Sequence, residues 1–106
     1  MAVSNIIKWT NNINLEQENI LLIFSTSWCP PCKALVPELD KLDKILMENN
    51  INCKICKIDC EEFPNISQTY GIRSVPTILF NKKGNTIPYN NGRDSNSMFN
   101  WININI

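Results

Sequence analysis

The chain of 106 residues contains no histidine, so catalysis through a Ser-His-Asp or Cys-His arrangement is excluded and the commonest metal ligand is missing. Glycine and proline together number only nine, 3 and 6, against 43% hydrophobic and 19% charged residues, a composition that fits a globular core and not a disordered or fibrous chain. No charge of either sign prevails: ten Lys and Arg balance ten Asp and Glu, and no summed field draws in phosphate backbones or anionic lipid. Neither nucleic acid nor membrane is therefore an expected partner. The longest apolar run, Ile20 to Phe24, is too short to cross a bilayer. No GxGxxG, Walker or HExxH pattern occurs, and no repeat or linker divides the chain, so residues 1–106 are read as one domain.

Cysteine is the residue present in informative number. Five thiols, an odd count, do not describe a secreted disulfide scaffold, and MAVSNIIKW shows no basic segment leading into a long apolar one. A reducing, cytoplasmic setting is expected, where disulfides are transient and catalytic or regulatory. Ser4 is placed as the cap of a short helix reaching Thr10. Ile20–Phe24 lacks alternation, which predicts a strand buried on both faces. Leu35, Leu39, Leu42 and Leu46 form a helical stripe from Pro31 to about Met47, with a kink expected at Pro37 and with Asp40 and Asp43 facing solvent. Residues 53–59 predict a second strand, Pro64 to Tyr70 a short helix stopped by Gly71, and Thr77–Phe80 with Thr86–Tyr89 a hairpin whose Pro88 confines it to a sheet edge. Asp94 or Ser95 caps a last helix. The order describes an α/β fold: a mixed sheet of four to five strands with helices on both faces.

Trp28-Cys29-Pro30-Pro31-Cys32 falls where the buried strand ends and the long helix begins, the edge at which open α/β sheets place functional groups. A first cysteine at a helix start meets unpaired backbone donors, which stabilise its thiolate. Pro30 and Pro31 supply no N–H, leaving the amides of Cys32 and Lys33 for this purpose, and the restraint a proline places on its predecessor should hold Pro30 out of the helix. Cys53-Lys54-Ile55-Cys56 offers a second pair, but residues three apart in a strand point to opposite faces, which argues against zinc and for small core residues. Cys60, beside Glu61 and Glu62, is the most exposed of the remaining three in this reading. Trp9 and Trp101 read as packing residues on terminal helices.

WCPPC after a hydrophobic strand, then KALVPEL, YGIRSVPTILF and NNGRD, resembles the thioredoxin family from Ile20 onward. The resemblance implies the thioredoxin fold, a cis-proline at Pro76 against the cysteine motif, and a docking surface bordered by Trp28, Pro30, Pro31, Gly71, Ile72, Val75, Pro76 and Gly92. It implies a protein-disulfide reductase in which Cys29 is the nucleophile and the more buried Cys32 the resolver. It further implies disulfide-containing client proteins, recharging by an NADPH-dependent thioredoxin reductase or another dithiol donor, a monomer, and no bound cofactor or metal. Two positions depart from the family: Ile23 stands where a buried Asp is usual and Ile55 where a Lys is usual, so resolution by Cys32 is expected to be slower, with Asp59 a partial substitute for the acid. An isomerase or oxidant is ranked lower because no His lies between the cysteines. A thioredoxin-fold binding subunit is the third reading.

Overall fold

The computed structural model describes residues 4–106. Five strands and three helices follow in the order β1 (Ile6–Lys8), β2 (Asn19–Ser25), α1 (Pro30–Glu48), β3 (Lys54–Asp59), α2 (Pro64–Thr69), β4 (Thr77–Lys82), β5 (Asn85–Tyr89) and α3 (Ser95–Asn105). The sheet runs β1-β3-β2-β4-β5. Strands β1, β3 and β2 are parallel; β4 runs antiparallel to β2, and β5 antiparallel to β4.

Strand β2 occupies the middle of this sheet, which is why its apolar residues come without interruption. Leu21 and Ile23 point to one face, where they join Leu35, Leu39, Leu42 and Leu46 of α1 and Met98 and Ile102 of α3. Ile20, Leu22 and Phe24 point to the other, against Phe63, Ile66 and Tyr70 around α2. Burying one such side chain stabilises the fold by about 1.5–3 kcal/mol, so the two clusters, joined through β2, hold the sheet between its helices. Trp101 sets its ring edge-on to both Phe80 and Tyr89, at centroid distances of 5.5 and 5.2 Å.

Helix ends follow local chemistry. In α1, Asn50 turns left-handed at φ 55° and the Ile51 amide reaches Leu46 O at 2.9 Å. In α2, Gly71 does the same at φ 68°, with Ile72 N donating to Ser67 O at 2.9 Å. Asp94 caps α3 by accepting the Ser97 amide at 3.0 Å. That bond, with the Ser97 hydroxyl, holds the Asp94 carboxyl below its ordinary range. Glu38 of α1 accepts the Ser95 amide at 3.0 Å, which ties the two helices and lowers its carboxyl in the same way.

Three expectations from the sequence are corrected here. Residues 6–8 form a strand and not part of a Ser4–Thr10 helix, because β3 offers a parallel partner in the register Ile6↔Ile55 and Lys8↔Lys57. Trp9 consequently lies past a strand, although it is buried as a packing residue. Asp43 is not solvent-facing: it is 6% exposed and accepts the Asn5 amide at 3.1 Å, which fixes the chain entering β1. Pro30 is the first residue of α1, since the first helical positions need no N–H and Cys29 supplies the extended residue before it, at φ −84° and ψ 112°. Pro37 lies inside α1, which runs on to Glu48.

Candidate functional site

Cys29 and Cys32 form a disulfide across the first turn of α1, with Cα atoms 5.2 Å apart. Cys29 is the N-cap, and the Cys32 amide points at its sulfur at 3.2 Å. The Lys33 amide, the second donor expected there, is instead taken by the Cys29 carbonyl at 3.1 Å as the first helical hydrogen bond. One backbone dipole is thus aimed at the Cys29 sulfur, where it would stabilise a thiolate after reduction. Across the chain, the Val75 carbonyl lies 3.8 Å from Cys29 Sγ, and the Val75–Pro76 peptide is cis, as the resemblance implied.

The two cysteines line different hollows, which meet at Thr26. Cys29 lines an apolar groove of about 500 Å³ together with Trp28, Pro30, Pro31, Ile72 and Val75. Cys32 lines a separate cleft of about 520 Å³ behind the motif, where Ser25, Thr26 and Asp59 meet α1. The expectation that Cys32 is the more buried cysteine does not hold: Cys29 is 3% exposed and Cys32 6%. Both are buried, so what distinguishes the pair is the hollow each lines, not its depth.

Five of the eight expected docking residues are gathered in the groove: Trp28, 64% exposed at its rim, with Pro30, Pro31, Ile72 and Val75. Pro76 lines the neighbouring hollow with Tyr89 and Arg93. Gly71 and Gly92 line neither. Gly71 serves the end of α2, and Gly92 accepts the Tyr89 hydroxyl and packs so close to Asp94 that a Cβ would fall 2.8 Å from its carboxylate. Thr26, Cys60, Ser67 and Ser74 also line the groove and were not anticipated. For Cys60 a signal existed, since it follows Asp59 at the carboxyl end of β3, the same sheet edge that carries the motif.

The other two cysteines are core residues. Cys53 and Cys56 are buried on opposite faces of the sheet, so they do not converge on one metal. Burial pushes both thiols up to about 12, with a hydrogen bond at Leu21 working slightly against the shift at Cys53. Their thiolates are absent at neutral pH, which takes both out of thiol chemistry. Burial also raises Tyr70, which packs on Phe24 at 5.4 Å, and the nearby Cys56 adds to that rise.

Comparison with known proteins agrees with this geometry. The chain matches the thioredoxin family over residues 1–104. It is 40% identical over 88 residues to a thioredoxin of Rickettsia felis, a match covering 82% of this chain and 81% of that one. It is also 40% identical over 76 residues to the chloroplastic M-type thioredoxin of Triticum aestivum, covering 72% of this chain and 42% of the wheat protein, so it spans less than half of that relative. Among solved structures, human ERp44 superposes with a TM-score of 0.86 over 98% of this chain and 31% of that one, at 20% identity, a likeness of fold alone. The fold, the paired cysteines at the start of α1 and these relatives place the chain in the thioredoxin family as a thiol–disulfide oxidoreductase acting on disulfide-containing substrates.

Proposed function

We propose that the protein is a protein-disulfide reductase in which Cys29 is the nucleophile and Cys32 the resolving thiol. The observation that carries this is the division of the two cysteines: Cys29 lines the apolar groove, while Cys32 lines the cleft behind it. Cys29 thiolate attacks a client disulfide, the bond between client sulfurs breaks, and one client thiolate leaves. Cys32 then attacks Cys29, which releases the second client thiolate and re-forms the Cys29–Cys32 disulfide. Trp28, Ile72 and Val75 supply an apolar bed for the client, and the Val75 backbone pairs with an extended client segment in the manner of an added strand.

No resident cofactor enters this cycle. The electrons come from an NADPH-dependent thioredoxin reductase or another dithiol donor. The balance of charge, ten of each sign, speaks against nucleic acid and membrane as partners, and Cys53, Cys56 and Cys60, left unpaired, suit a reducing cytoplasm. Action as a monomer and as one domain completes the reading.

Insulin reduction with dithiothreitol as donor tests it. The unsubstituted protein should accelerate precipitation of the insulin B chain, Cys29→Ser should abolish this, and Cys32→Ser should accumulate a mixed disulfide with client. Activity retained by Cys29→Ser refutes the assignment. A midpoint potential near about −270 mV fits a reductase, whereas one near about −180 mV fits an isomerase.

A further inference from the structure

Ile23 and Ile55, at the positions where the resemblance led one to look for an acid and a base, are 2% and 0% exposed within a hydrocarbon cluster and cannot exchange a proton with Cys32. The Cys32 proton must therefore leave through the cleft behind the motif. The titratable groups lining that cleft are Lys8 of β1, Lys33 of α1, Lys57 and Asp59 of β3, and Glu62. Three are ammonium groups, which leaves two carboxylates as acceptors.

Sheet register separates them. Lys57 stands directly across from Ile23, and Asp59 across from Ser25, two residues further along the same face. A carboxylate is thus present one step along the sheet from the position the hydrocarbon occupies, on the adjoining strand. Asp59 is also held in place: its Oδ1 accepts the Glu61 amide at 2.9 Å and the Glu62 amide at 3.4 Å. Among the described residues, Oδ2 receives no such bond. Glu62 is exposed on the loop beyond.

A second observation points to water in the cleft. Trp9 Nε1 and Thr26 Oγ1 are buried without a partner among the described residues, on residues that are only 7% and 8% exposed and that line this space. Buried polar atoms take up water where room exists, and about 30 Å³ per molecule leaves room for several here.

We propose that Asp59 accepts, through water held in this cleft, the proton that Cys32 loses when it resolves the mixed disulfide. The inference rests on the reductase reading. In the step, the Cys32 S–H bond breaks and its proton passes by way of water to the Asp59 carboxylate. The sulfur's electron pair forms the bond to Cys29, and the bond between Cys29 and the client sulfur breaks, its electron pair leaving on the client thiolate. The proton returns when a dithiol donor reduces the pair.

The test follows reduced protein, carrying Cys60→Ser, mixed with an equimolar aromatic disulfide, 5,5′-dithiobis(2-nitrobenzoate), by stopped-flow absorbance. The first thiolate released reports attack by Cys29 and the second reports resolution by Cys32. With Asp59→Asn, the second phase should slow by about 10²-fold at pH 7 while the first stays within about twofold, the scale of general-base catalysis. Its rate should then climb in proportion to hydroxide across the pH range, where the parent levels off. Asp59→Glu should restore the levelling, which a merely structural role would not do, and Glu62→Gln should change neither phase. A second phase and pH profile unaltered by Asp59→Asn overturn the proposal, as does an equal loss in Glu62→Gln. Absence of the first phase in the parent overturns the reductase reading itself.

Discussion

Placing a carboxyl at position 23 by the substitution Ile23→Asp tests how strictly the interior beneath the cysteine motif has been given over to hydrocarbon. Ile23 is 2% exposed among Leu21, Leu39, Ile55 and Ile78. Losing its burial costs about 1.5–3 kcal/mol. A neutral carboxyl without a partner there costs about 1–3 kcal/mol more. The sum, about 2.5–6 kcal/mol, is a large part of the whole stability of a domain this size, about 5–15 kcal/mol. Ionisation adds to it. Burial raises the new group's pKa by about 3 units, and each unit contributes about 1.4 kcal/mol, so about 4 kcal/mol more is lost at high pH. The sign is fixed by linkage: a folded-state pKa above the unfolded one leaves stability intact below the ordinary aspartate range and removes it as pH rises through the shifted value. Urea unfolding of the oxidised protein, followed by tryptophan fluorescence at pH 5, 6, 7 and 8, should show a penalty relative to the parent that grows with pH. Ile23→Asn should carry a similar penalty at pH 5 that stays level. A cost below about 1 kcal/mol, or equal penalties for Ile23→Asp at pH 5 and pH 8, would refute the account of this interior.

Cys53 and Cys56 should resist iodoacetamide at pH 8 in the folded reduced protein, while Cys29 and Cys60 are alkylated; mass spectrometry counts the adducts. Because burial lifts both thiols from 9.0 to about 12, stability should be intact below pH 9 and fall from there upward, as the unfolded chain ionises first; urea midpoints between pH 8 and 11 check this. Asp43→Ala should cost about 1.5–3 kcal/mol through the orphaned Asn5 amide, whereas Asp40→Ala should stay within about 0.5 kcal/mol, by the same urea assay. Asp94, with its carboxyl lowered by Ser97, contributes stability above the ordinary aspartate range and loses it as pH falls below; Asp94→Ala should therefore lower the midpoint at pH 7 and match the parent near pH 2.

The parts of the fold that were legible in the sequence are those where one physical cause acts alone. The unalternating run of β2, the leucine stripe of α1, the hairpin of β4 and β5 and the Asp94 cap each follow from burial or backbone geometry over a few residues. β1 was missed because a three-residue strand has no period of its own, and its partner lies some 50 residues away. Asp43 was misplaced for the same reason: its side of α1 is determined by where Asn5 lies. At the site, the motif and Val75–Pro76 were recognisable, yet the relation of the two sulfurs was not, since depth is a property of what covers each residue. Gly71 and Gly92, expected on the docking surface, have local structural roles that the sequence did not show: the end of α2 and a tight packing contact with Asp94.

Both margins of the sheet are poor templates for another chain. On one side β1 is three residues long and ends in an exposed lysine. On the other, Pro88 deprives β5 of a donor at the fourth of its five residues. A groove that pairs backbone with an extended client segment, as proposed above for Val75, reads little sequence and could pair with almost any strand. Blunted margins leave strand pairing of that kind to the groove beside the cysteine motif and make edge-to-edge association between copies unfavourable.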